Sequence, residues 1–210
     1  MLTSSFFDQD AIKLAKSLLG KIIRRKIQGV WLSMRIIETE AYYLEDKASH
    51  ASLGFTEKRK ALFMPAGTVY MYYAHGKPSM NVSARGGGNA VLIKSGFPFF
   101  DKKSPAKTQE IMQQLHDKNR PIEKLGNGQT IMCRSLHLTV PDWDQKTFDK
   151  KMFYIEDQNL TPRNIITATR LGIPLGRDEH LPYRFIDAQF NQYCTKPVNN
   201  LQDTKSVTGV

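Results

Sequence analysis

Two carboxylates and a tyrosine recur at alternate positions in Arg35-Ile36-Ile37-Glu38-Thr39-Glu40-Ala41-Tyr42-Tyr43. The β-branched start of this stretch reads as a strand. Strand side chains alternate, so Glu38, Glu40 and Tyr42 fall on one face and Ile37, Thr39 and Ala41 on the other. Ionised carboxylates are costly to bury without partners, so the acidic face either meets water or lines a site. Further along, Tyr70 and Tyr72 share one face of a second strand, with Val69, Met71 and Tyr73 opposite, and Asn81 sits on a third. His50 and His75 lie in loops. Tyrosines and a histidine around a carboxylate can form a slot for a flat π-system, and stacking one nucleobase is worth about 1–3 kcal/mol. An asparagine can read a purine edge or reject one by clash. Taken singly, each residue has a plainer explanation: a solvated strand end, a core aromatic or a structural histidine. Their joint occurrence is what points to a site.

These side chains need elements to hold them. Ala11, Ile12, Ala15, Leu18 and Leu19 make one apolar stripe, which predicts a helix over 8–19, capped by Asp8 and ended by Gly20. A basic strand over 21–27, a turn at Gln28-Gly29 and the central strand from Trp31 follow. Residues 56–63 read as a short basic helix capped by Thr56. Strands over 68–74, 79–84 and 89–95 form an antiparallel meander, with turns at His75-Gly76-Lys77-Pro78 and Gly86-Gly87-Gly88. Pro105 opens a helix to about His116, and Gly126-Asn127-Gly128 precedes another through Leu136. Residues 152–155 and 165–168 are strand-like, and Leu181-Pro182-Tyr183-Arg184-Phe185 reads as a turning segment. No repeat or linker divides the chain. The expectation is a single α+β domain over 1–195 and a polar tail over 196–210 that frays.

Thirty Lys and Arg against twenty Asp and Glu give a net charge of +10, which favours a polyanionic partner such as nucleic acid or an anionic membrane surface. No apolar run is long enough to cross a bilayer, and the N-terminus lacks a basic, cleavable leader. Cys133 and Cys194 have no zinc-type spacing and fit a reducing, cytoplasmic setting.

In chain order, five blocks resemble those of the alkyladenine (3-methyladenine) DNA glycosylase family. They are Ile36 to Tyr42 with Ala48-Ser49-His50, then Phe63 with Pro65 to Tyr72, then Met80-Asn81-Val82 with Ala90 to Ile93. Arg170-Leu171-Gly172-Ile173 and Leu181 to Phe185 complete the set, and the opening Leu18-Leu19-Gly20-Lys21 matches too. The resemblance implies a curved antiparallel sheet surrounded by helices, and a monomeric enzyme, cytoplasmic or nuclear, that needs no metal or other cofactor. Its partner would be double-stranded DNA with damaged purines, which are flipped out and cut at the glycosidic bond. By family position Glu40 would activate water, while Tyr42, His50 and Tyr72 would sandwich the base. Asn81 would crowd the exocyclic amine of normal guanine, leaving Glu38 a supporting role.

Several positions depart from the family pattern. His75 stands where a tyrosine usually wedges into the gap left by the flipped nucleotide. Lys94 replaces an arginine beside the catalytic water. It can hold the water or a phosphate, or as a nucleophile give lyase chemistry through an imine. Lys58, Arg59 and Lys60 would contact the DNA backbone, and Gly128, at a helix start, a phosphate. Two other classes are compatible with parts of the pattern. One is a metal-dependent nuclease holding magnesium on Glu38, Glu40, Asp46 and His50. The other is a non-catalytic nucleic-acid binder.

Overall fold

The computed structural model describes residues 1–117 and 119–199. Helices α1 (Ser4–Phe7) and α2 (Ala11–Leu18) precede strands β1 (Ile22–Ile27) and β2 (Val30–Tyr42). Two 3₁₀ segments, His50–Leu53 and Glu57–Phe63, lead into β3 (Val69–Ala74), β4 (Lys77–Ser83) and β5 (Ala90–Pro98). Helices α3 (Thr108–Gln114), α4 (Gln129–Ser135) and α5 (Val140–Trp143) follow. Strands β6 (Phe153–Glu156), β7 (Ile165–Ala168) and β8 (Arg184–Asp187) and a last 3₁₀ segment, Ala188–Tyr193, complete the described chain. Among the described residues no helix is long and apolar enough to cross a membrane.

All strands join one antiparallel sheet, in the order β3-β4-β5-β2-β1-β6, with β8 pairing both β2 and β7. Strand β2 is its axis. One edge carries β5 along most of its length. The other edge is divided between β1, over residues 30–35, and β8, over residues 38–40. A strand that changes partner along one edge must bend there, and the register against β5 slips on either side of Glu38. That bulge strengthens the local twist, and the sheet curls into a half-barrel with helices around it.

The bulge also corrects the expected facing of β2. Ile36 and Ala41 join the main core, and the Thr39 hydroxyl donates to the Ala15 carbonyl of α2 at 2.9 Å. Ile37, expected beside Thr39 and Ala41, instead packs against Ile186 and Cys194. The extra residue of a bulge breaks strict alternation, and this one turns Ile37 away from the main core.

Smaller corrections follow the same logic of local hydrogen bonds. Asp10, not Asp8, caps α2, accepting from the N–H groups of Ile12 and Lys13 at 3.1 Å and from Tyr43 Oη at 2.7 Å. Asp8 instead pairs with Arg85. Thr56 makes no side-chain cap. The β3–β4 turn is only His75-Gly76, both with positive φ (50° and 75°), while Lys77 and Pro78 already pair with Ala74 and Tyr73. Such a two-residue turn matches the twist of its strands. The stretch read as a turn at 181–185 runs into strand β8. In the tail, the Lys196 carbonyl accepts from Arg184 at 2.6 Å, and Val198 exchanges hydrogen bonds with Asn191. Residues 200–210, also expected to fray, lie outside the described residues.

Candidate active site

Strand register builds the site. Tyr70 pairs with Asn81, Asn81 with Leu92, Leu92 with Glu40, and Glu40 with Arg184, giving one row across β3, β4, β5, β2 and β8. Directly opposed residues point to the same face of a sheet. Lys94 sits at the slip in the β5 register, between Ile93 and Ser95, and lines the same cavity as Leu92. A cavity of about 560 Å³ opens over the Tyr70, Asn81 and Leu92 part of this row, with Glu40 buried behind its lining. Tyr42, His50, Tyr72, Asn81, Leu92 and Lys94 all line it, and His75 reaches it from the hairpin tip.

Glu40 is fully buried, and it is partnered. Tyr42 Oη donates to Oε2 at 2.7 Å, the backbone N–H of Leu171 donates to Oε1 at 3.2 Å, and Lys94 Nζ lies 3.5 Å from Oε1. Burial first, then the adjacent Glu40 charge, pushes the Tyr42 phenol well above its ordinary value, so it remains a donor. The acidic face of β2 therefore meets neither water nor an empty interior.

Glu38 has a different environment. Arg184 Nε donates to its Oε1 at 2.6 Å, and Oε2 takes the hydroxyl of Ser95 and both the N–H and the hydroxyl of Thr195. It is a fully buried carboxylate whose acceptors are engaged within the scaffold, and it ties β2, β5, β8 and the C-terminal segment together. Gly128 belongs to the same network: its N–H donates to Ser95 Oγ at 3.1 Å. That donor, expected to meet a phosphate, is engaged within the scaffold.

The aromatic walls are ordered by mutual contact. Tyr70 and Tyr72 stack with centroids 5.5 Å apart, and the His50 ring meets Tyr72 edge-on at 4.5 Å. His50 Nδ1 is 2.9 Å from Tyr70 Oη. Loss of water around the ring, then the charges of Arg59 and Arg177, lower the His50 pKa from its ordinary 6.5. The Arg170 guanidinium covers the Tyr42 ring at 4.6 Å while paired with buried Asp46, leaving Tyr42 one open face. Asn81 is held by donation to the Tyr70 carbonyl at 3.3 Å.

The basic 3₁₀ segment lies to one side. Arg59 Nη1 donates to the carbonyls of Leu53 and Gly54, both at 3.0 Å, and Lys60 pairs with Glu57. Lys58 is exposed. None of the three lines the cavity. The four groups of the nuclease alternative do not converge, because Glu38 is paired with Arg184 and Asp46 with Arg170. Among the described residues no three His, Cys, Asp or Glu side chains gather as a metal set.

Sequence reasoning missed several contributors. The Leu171 N–H is a backbone donor, invisible to side-chain chemistry. Arg170, Ile173, Pro174 and Arg177 come from a loop distant in sequence, and Gln129 lines the cavity while donating to Ser79 Oγ at 3.2 Å. The block Arg170 to Ile173 was visible as a family resemblance, but nothing in its residue types gave it a position.

The α+β scaffold thus holds a buried, triply contacted carboxylate beside an aromatic cavity, groups of the kind that can move a proton and stack on a planar ring. A model of the family described as methylpurine-DNA glycosylase matches residues 5–191. A protein of Pseudomonas fluorescens (strain Pf0-1) named "Putative 3-methyladenine DNA glycosylase" is 55% identical over 199 residues, covering 93% of this chain and 86% of its own length. A protein of the same name from Pseudomonas aeruginosa (strain LESB58) is 54% identical, with 93% and 83% covered, and one from Clostridium beijerinckii is 33% identical, with 93% and 99% covered. The chain belongs to the methylpurine-DNA glycosylase family.

Proposed function

We propose that this protein flips a damaged purine nucleotide out of duplex DNA and hydrolyses its N-glycosidic bond with water activated by Glu40. The observation that carries the reading is the Glu40 carboxylate, fully buried directly behind the cavity wall and held there by three residues that line it, Tyr42, Lys94 and Leu171. A carboxylate so placed can take a proton from water as it attacks the anomeric carbon, and its charge stabilises the oxocarbenium-like sugar. The donors fix its orientation before reaction, and preorganisation of this kind is a large part of electrostatic catalysis.

The base would lie against the open face of Tyr42, with His50 and Tyr72 opposite. Asn81, clamped to the Tyr70 carbonyl, is placed to crowd the exocyclic amine of guanine and so reject the normal base. Purines alkylated on a ring nitrogen are cationic and depart as neutral bases, whereas hypoxanthine or an etheno adduct needs protonation on leaving. Lys94 supports the electrostatic role better than the nucleophilic one. Its 3.5 Å ion pair with Glu40, the proposed base, favours an electrostatic role, whereas imine chemistry requires a neutral amine.

The test is base release from duplexes that each carry one methylated purine, hypoxanthine or etheno-adenine. The reading expects free base and an abasic strand that breaks only on alkali or heat, unaffected by EDTA. Direct strand breaks abolished by EDTA, or DNA binding with no released base, would overturn it.

A further inference from the structure

We infer that Leu175, on a loop whose neighbouring residues line the same cavity as the His75 hairpin, is a second DNA wedge; this rests on the glycosylase reading above and extends it. Leu175 is 91% exposed, more than any other large apolar side chain among the described residues. It occupies the apex of a loop that turns at Gly172 and Gly176, both with positive φ. Its neighbours Ile173, Pro174 and Arg177 line the cavity. The apolar exposure continues around the rim, since Leu53 and Tyr73, at 60% and 57% exposure, line the same cavity. Scattered apolar residues need no explanation, but a concentration at one mouth marks a contact surface.

The loop is braced rather than loose. Arg177 Nε donates to the Lys47 carbonyl at 2.8 Å, the Gly176 N–H to Glu179 at 2.9 Å, and the Lys47 N–H to Asp178 at 2.9 Å. A braced apex can press an apolar side chain into a stack without folding back on its own chain. Arg177 and Lys47 beside it supply positive charge for the flanking phosphates. Flipping a nucleotide leaves a gap, and proteins that kink or open duplexes fill such gaps with apolar side chains. His75 at the hairpin tip is smaller than the tyrosine of the family pattern, so an apolar side chain on a second loop beside the cavity would supply what it lacks. Leucine acts here by holding the opened duplex; it is a positioning residue and takes no part in the bond change.

The test compares wild type, Leu175→Ala and Leu175→Phe in single-turnover base release, from a duplex bearing one lesion and from the same strand unpaired. Because the side chain is exposed, all three should unfold at the same temperature. Leu175→Ala is expected to slow release from the duplex roughly tenfold, or about 1.4 kcal/mol, part of the unstacking cost that a wedge offsets, to leave the unpaired strand unchanged, and to be rescued by Leu175→Phe. Equal rates for wild type and Leu175→Ala on the duplex, or an equal loss on both substrates, would overturn the wedge while leaving the glycosylase reading intact. No base release by wild type from either substrate would overturn that reading and the wedge with it.

Discussion

Glu38 and Glu40 are two residues apart on one strand, fully buried, and differently employed. Glu38 faces Arg184, Ser95 and Thr195 and serves the scaffold, whereas Glu40 faces Tyr42, Leu171 and Lys94 at the cavity. Tyr42 thus does more than present a ring. Tyr42→Phe keeps the stacking surface and removes the Oη–Glu40 hydrogen bond. The single-turnover rate should fall roughly ten- to hundredfold, the worth of a hydrogen bond to a charged group, with little change in substrate affinity. A variant as fast as wild type would show that the phenol does not orient Glu40. Of His50 and His116, whose pKa values burial lowers, His50 is the one that lines the cavity. Its folded pKa is below 6.5, so a proton binds less readily in the folded than in the unfolded state. The stability it contributes is fully present above pH 6.5 and is lost as pH falls through the folded value. Over the same window a charged ring enters a slot proposed to hold cationic purines. Activity on a methylated purine should therefore fall on the acid side, with His50→Gln lacking that limb when profiled from pH 5 to 8.

At the scale of elements, the active row exists because β3, β4, β5, β2 and β8 are in one register. Small residues allow that register to be braced from outside. Gly126 packs against the Gly96 backbone of β5 so closely that an added Cβ would lie 1.9 Å from the Gly96 carbonyl oxygen. Backbone cannot step aside as a flexible side chain can, so Gly126→Ala should destabilise the protein by several kcal/mol, at the severe end for single substitutions. A denaturant midpoint equal to wild type would contradict the close packing. The elements also explain what could be read from the chain. Alternation placed Tyr70 with Tyr72 and Glu38 with Glu40, because period-2 patterning survives in regular strands. It misplaced Ile37, because a bulge is not encoded by residue type. It missed β8, because a four-residue strand next to Pro182 has no pattern of its own and exists by pairing with β2. The aromatic residues, His50, Asn81 and Lys94 were all visible as candidates, and family resemblance ordered them. The Leu171 N–H and the loop over 170–177 depend on tertiary approach alone.

For the whole molecule, the +10 charge fits the DNA substrate that family membership implies. Binding to undamaged duplex should weaken steeply with salt. The logarithm of the affinity should fall linearly with that of salt concentration, with a slope of about −0.9 per neutralised phosphate. A flat salt response in a fluorescence titration would deny the charge its role. Burial of both strand carboxylates has a second consequence at this scale. Removing the charge of Glu38 threatens the fold, because it leaves buried Arg184 without its carboxylate, whereas Glu40→Gln keeps an oxygen to accept from Tyr42 Oη and the Leu171 N–H and leaves only the longer 3.5 Å pair with Lys94 unmade.

The decisive measurement is therefore single-turnover base release by Glu40→Gln on a lesion-bearing duplex, with DNA affinity and unfolding temperature measured on the same preparation. Loss of release by roughly a hundredfold or more, as expected for removal of a general base, with affinity and stability retained, is the predicted result. Release at the wild-type rate from the folded variant would contradict the assignment of Glu40 as the group that activates water.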